Sequence, residues 1–96
     1  MLYLVISSPR PERPSEVLGD RQRYWEWLRP LQDSGVVKSV HARVGRGAVV
    51  LFDVDSHATL HKLVTQWCDI IPARFDIHPL LDAGNARDFL AGQNET

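Results

Sequence analysis

Apolar and polar positions alternate along this chain with two different periods, and the places where the period changes predict its elements. MLYLVI (residues 1–6) is a continuous apolar run with β-branched and aromatic members, the pattern of a strand covered on both faces. Prolines at 9, 11 and 14 make PRPERP an exposed, extended loop. From Ser15 to Ser34 the period becomes helical: Val17, Tyr24, Leu28 and Leu31 form one stripe, with Trp27 at its edge. Ser15 followed by Leu18 is half a capping box, Gly19 weakens the first turns, Pro30 should kink or end the regular helix, and Gly35 suits a helix stop. Val36–Val44 and Gly47–Val54 then read as two strands. Between them Gly45-Arg46 fits a two-residue type II′ turn, which sets Val44 opposite Gly47, His41 opposite Val50 and Lys38 opposite Asp53. Asp55 or Ser56 caps a second helix to about Trp67, with Leu60, Leu63, Val64 and Trp67 on one face. In Ala73–Leu81, Phe75, Ile77 and Leu81 alternate against Arg74, Asp76 and His78, and Pro79 assigns this strand to a sheet edge.

Strand, helix, strand, strand, helix, strand is the ferredoxin-like α+β order, βαββαβ. It predicts a four-stranded antiparallel sheet in the order 4-1-3-2. The continuous apolar runs MLYLVI and AVVLF occupy the centre and the alternating strands the edges. Residues 1–81 make the domain. Residues 82–96 form a tail with a short helix around Ala86–Ala91 that frays afterwards. Two helices cover one face of such a sheet, yet both faces are apolar: Val37, Val50 and Phe52 on one, and Val40, Ala42, Val44, Val49 and Leu51 on the other. A bare apolar face of that size implies a partner, so the expected assembly is a homodimer or higher homo-oligomer packed through the sheet as a dimeric α+β barrel.

Composition narrows the function. A chain of 96 residues supports one small core, and a net charge of −1 with a pI near 6.4 gives no footprint for nucleic acid or an anionic membrane. Cys68 is the only cysteine, so no internal disulfide forms and a reducing, cytoplasmic location is expected. No run approaches the roughly 20 apolar residues of a membrane span, and Met1–Ile6 reads as a strand rather than a signal peptide.

GRGAVV has the first look of a phosphate loop, but valine stands where a third glycine would fall, and a strand follows rather than a helix. It is a hairpin turn. His57 and His61, one turn apart, lack the glutamate of a zinc-protease motif and a clear third ligand, so neither metal nor cofactor is expected. The proposed register places His41 on one face with Ala48, Val50 and Phe52, beside Arg43. There an imidazole could transfer a proton and a guanidinium could hold a carboxylate. The alternative is that both face water at an edge strand.

VVLFDVDSHATLHKLV, followed by IIPARFDIHPLLD, resembles the muconolactone isomerase family of small α+β barrel proteins. The likeness lies in the strand ending Phe52-Asp53-Val54 and the helix opened by Ser56 with Leu60 and His61. It continues in the Pro72-led last strand with Asp76-Ile77 and Pro79-Leu80, and covers roughly residues 1–81. It implies a cofactor-free enzyme that shifts a double bond in an unsaturated lactone from aromatic breakdown. In that family a carboxylate on the first helix carries the proton, helped by polar residues at the start of the third strand. Those positions fall here on Tyr24 and on or near Arg46 and Ala48. A phenol, titrating near 10, is a poor base, and alanine does no acid–base work. His41 and Tyr24 are therefore the candidate catalytic residues, Tyr24 alternatively a hydrogen-bond donor lining a pocket. Arg43, Arg46, Trp27, Phe52 and Tyr3 are the candidate substrate-binding set for a small-molecule ligand. Two functions compete: a cofactor-free isomerase or lyase moving a proton on a small lactone, and a non-catalytic binding or assembly module on the same barrel.

Overall fold

The computed structural model describes residues 1–94. Its elements are β1 (Leu2–Pro9), a 3-10 turn (Pro14–Glu16), α1 (Leu18–Asp33), β2 (Val37–Ala42), β3 (Ala48–Asp53), α2 (His57–Ile70), β4 (Ala73–Leu80) and α3 (Ala83–Asn94). The strands form one sheet in the order β2-β3-β1-β4 with every neighbouring pair antiparallel, the ferredoxin-like arrangement the alternation pattern predicts. β4, which contains Pro79, is an edge strand, the position in a sheet where a proline is tolerated.

Local chemistry accounts for most boundaries. Pro14 opens the 3-10 turn, and α1 follows from Leu18 with no side-chain cap from Val17. Pro30 does not end the helix; it continues to Asp33, and the Ser34 amide donates to the Pro30 carbonyl at 3.0 Å. Gly35, at φ 84°, then turns the chain out of the helix. At α2 the Thr59 amide donates to Ser56 Oγ at 3.1 Å, a formed N-cap. Ser56→Ala should therefore cost about 1 kcal/mol of stability, read as a lowered denaturation midpoint with an unchanged slope.

The hairpin differs from the expected register by one residue. His41 pairs with Val49 and Ala42 with Ala48, and the Arg43 amide donates to the Gly47 carbonyl at 3.0 Å, closing a loop over residues 44–46. Gly45 (φ 95°) and Gly47 (φ 110°) both take positive φ, which a three-residue loop accommodates where the expected two-residue turn uses one. A second irregularity lies at Lys38, an extra residue between the pairs Val37–Phe52 and Ser39–Leu51. Lys38 still reaches Asp53, Nζ to Oδ2 at 3.8 Å. Because side chains alternate, the slip and the bulge reassign faces. Val40 and Ala42 join the helix side with Val50 and Ala48, His41 turns to the opposite face, and Val44 is fully exposed in the loop.

The core lies between the helices and one sheet face. Tyr3 and Val5 of β1 and Ala48, Val50 and Phe52 of β3 pack against Tyr24 and Leu28 of α1 and Leu60, Leu63 and Trp67 of α2. The other face carries Leu2, Leu4, Ile6, Val49 and Leu51 along its centre, each half-buried, with Ser39, His41, Arg74, Asp76 and His78 at its margins. α3 is longer than the Ala86–Ala91 segment expected, and its Phe89 and Leu90 are exposed. The fraying expected from residue 92 onward is corrected over 92–94, which belong to α3, and its last two positions, 95–96, lie outside the described residues. Among the described residues no helix is long and apolar enough to cross a membrane.

Candidate functional site

At one end of the sheet, where β1 and β3 stop pairing, the chain leaves a cavity of about 380 Å³. Ligand cavities span about 300–1,000 Å³, so this one suits a small molecule. Its walls come from the proline loop, the first half of α1, the β2–β3 hairpin and the last turn of α2.

The hairpin wall is tightly anchored. Beyond the Ile6–Val49 pair, Ser7 replaces ladder bonding with its side chain: Oγ accepts the Ala48 amide at 2.9 Å. A Cβ on Gly47 would stand 2.3 Å from the Ser7 carbonyl oxygen, so glycine alone lets the loop lie this close to β1. Arg43 completes the anchor, Nη1 donating to the Ser7 carbonyl at 3.0 Å and to Ser8 Oγ at 2.7 Å.

The helix wall is aromatic. Tyr24 is 5 % exposed and packs edge-on to Trp25 at 5.4 Å and tilted against Trp67 at 5.5 Å between ring centroids. Its hydroxyl is buried and has no hydrogen-bond partner, and burial pushes the phenol's pKa far above its ordinary value. Burial thus favours the protonated phenol, a hydrogen-bond donor rather than a base. Arg46 Nε is likewise buried without a partner. Arg21, Arg43 and Arg46 all line this cavity, and among the described residues none of them pairs with a carboxylate. Glu12 is the carboxylate on the wall, its Oε1 accepting from Arg10 Nε at 2.8 Å. The wall thus combines three arginines, aromatic planes and two unsatisfied donors.

Of the residues singled out in the sequence, the cavity brings together Tyr24, Arg43 and Arg46. His41 is exposed on the opposite sheet face, because it pairs with Val49; the face it was expected to share with Ala48, Val50 and Phe52 is corrected by the one-residue slip. Phe52 is wholly buried beneath Trp67, with ring centroids 6.3 Å apart. Trp27 packs behind Tyr24 and Trp67 and donates Nε1–H to Gln66 Oε1 at 2.9 Å. Tyr3 lies at the far end of β1, its hydroxyl bonded to His57 Nδ1, beside a separate shallow groove. Glu12, Arg21 and Trp25 also line the cavity, although the sequence marks none of them as a site residue: the first two read as solvated surface charges and Trp25 as a helix-flank residue facing another subunit. Arg21, Tyr24, Trp25 and Leu28 do stand three and four residues apart, a spacing that puts them on one side of α1.

No curated protein matches the chain by sequence. Among solved structures it is similar to 5-chloro-2-hydroxyhydroquinone dehydrochlorinase (TftG) from Burkholderia phenoliruptrix AC1100, in complex with 2,5-dihydroxybenzoquinone. The TM-score is 0.74 at 14 % identity, over 88 % of this chain and 98 % of that one, a likeness of fold. A family model matches residues 1–94, nearly the whole chain, and the protein belongs to that family, the domain of unknown function DUF3303.

Proposed function

We propose that the cavity binds a small acidic, oxygenated ring compound of aromatic breakdown. We further propose that the protein, like the muconolactone isomerases it resembles, moves a proton on that compound without a cofactor, as an isomerase or lyase. One observation carries this reading: Tyr24 and Arg46, each with a buried and unpartnered donor atom, line a single cavity. Leaving a buried donor unmatched costs about 1–3 kcal/mol, and a ligand oxygen between the two would recover it. Removing a proton beside a carbonyl puts negative charge on the oxygen. A protonated phenol and a guanidinium fixed in place stabilise that enolate more than the neutral ketone or lactone. Arg21 at the cavity mouth would hold the ligand's acidic group. The dihydroxybenzoquinone bound by the structural neighbour is a molecule of this chemical kind.

Tyr24→Phe tests the assignment by separating stability from binding. Deleting an unpartnered buried hydroxyl should leave stability unchanged or raise it by up to about 1 kcal/mol. Affinity for 2,5-dihydroxybenzoquinone, titrated through tryptophan fluorescence, should fall about tenfold, since Trp25 and Trp67 line the site. A destabilised protein with unchanged affinity would make Tyr24 an ordinary core residue. The alternative, a binding module without catalysis, is favoured by the position of His41 across the sheet and the absence of a carboxylate from the position of Tyr24.

The same reading includes a homo-oligomer, with a second copy over the face formed by Leu2, Leu4, Ile6, Val49 and Leu51. Leu51→Lys would then convert the assembly to protomers in light scattering while the fold persists.

A further inference from the structure

We infer that Glu12 carries the proton in this site, an inference that rests on the binding reading above. The other groups on the cavity wall are eliminated one by one. Arginines do not give up their protons, and Tyr24 is held protonated by burial, so these are donors only. The Ser7 hydroxyl is engaged with Ala48. None of His41, His57, His61 or His78 borders the cavity. Glu12 is left as the group on the wall able to accept a proton from carbon.

Its setting fits the task. Pro11 and Pro14 stand on either side of it and also line the cavity, so the backbone that presents Glu12 has restricted freedom although it belongs to no regular element. Arg10 Nε engages only Oε1, and among the described residues Oε2 has no partner. The side chain is 29 % exposed, at the mouth of the cavity rather than sealed beneath it. Arg10 would fix the carboxylate while Oε2 works.

The step balances within the substrate. Oε2 takes a proton from the carbon next to the carbonyl of a β,γ-unsaturated lactone. The C–H electron pair becomes the new C=C of a dienolate, whose oxygen carries the charge toward Tyr24 Oη and Arg46. The same carboxyl then returns the proton to the γ carbon, forming a C–H bond there and restoring the carbonyl. Substrate and product are isomers, and no oxidant, reductant or second reactant enters.

The test uses the full chain with Glu12→Gln, which preserves size and the oxygen that accepts from Arg10. Two measurements are made on wild type and variant: deuterium incorporation from D2O into a carboxymethyl-substituted butenolide, followed by proton NMR, and binding of 2,5-dihydroxybenzoquinone by tryptophan fluorescence. Wild type should bind the quinone and exchange the lactone C–H. Glu12→Gln should lose exchange by about 10²–10⁴-fold while its Kd stays within about threefold. Glu12→Asp should restore part of the exchange, which a purely structural role would not require. Exchange by Glu12→Gln at the wild-type rate overturns the inference and leaves the binding site standing. Quinone binding without exchange in wild type overturns it too, in favour of the module without catalysis. Absence of quinone binding in wild type overturns both the site and the inference.

Discussion

Gly47→Ala is expected to lower stability by about 2–6 kcal/mol, roughly 10–30 °C in Tm for a domain of this size. Two costs combine. At φ 110° an L side chain is strained, by about 1–3 kcal/mol. The added Cβ would also lie 2.3 Å from the Ser7 carbonyl oxygen, a backbone atom that cannot swing aside as a side-chain tip could. Moving one chain away from the other adds about 1–3 kcal/mol and pulls apart the contact that holds Arg43 on Ser7 and Ser8. Gly45→Ala is the control. Its φ of 95° imposes strain, but a Cβ there would meet nothing within 4 Å, so about 1–3 kcal/mol is the whole expected cost. Thermal melts of the two variants side by side read the difference. Equal losses would mean that the close approach of the hairpin to β1 contributes nothing.

Arg46→Met should weaken binding of the quinone probe by about 30- to 1,000-fold, the range for losing one partner of a buried charged contact, about 2–4 kcal/mol. Methionine keeps the apolar stem and removes the guanidinium, so packing of the loop is preserved. Stability should hold or improve, since Nε is buried with no partner. Wild-type affinity should also fall as ionic strength rises, and the variant's less steeply, because one of the arginines meeting the anion is gone. A variant that loses stability and keeps its affinity and salt dependence would assign Arg46 to the scaffold.

What the residues disclose by themselves divides along periodicity. MLYLVI, AVVLF and the two amphipathic helices define their own elements, and the ferredoxin-like order follows from them. Tyr24 is legible as well, since it sits on a helical stripe. The hairpin register is not. Gly45-Arg46-Gly47 is compatible with loops of two or three residues, and only the packing of Gly47 on Ser7 selects between them. Nothing in VKS marks Lys38 as a bulge. Each is a one-residue matter, but one residue in a strand exchanges faces, and His41 is carried to the far side of the sheet from Tyr24. Glu12 is hidden for a different reason. It lies in a proline-rich loop without period, whose path across the cavity depends on tertiary packing rather than on any local pattern.

Whether the unpaired donors of Tyr24 and Arg46 form a binding site for an acidic oxygenated ring is decided by a fluorescence titration of the wild-type protein with 2,5-dihydroxybenzoquinone at low salt. Such a site predicts saturable quenching, one equivalent per chain, that is relieved by added salt. Quenching that rises linearly without saturation, and is indifferent to salt, would contradict it.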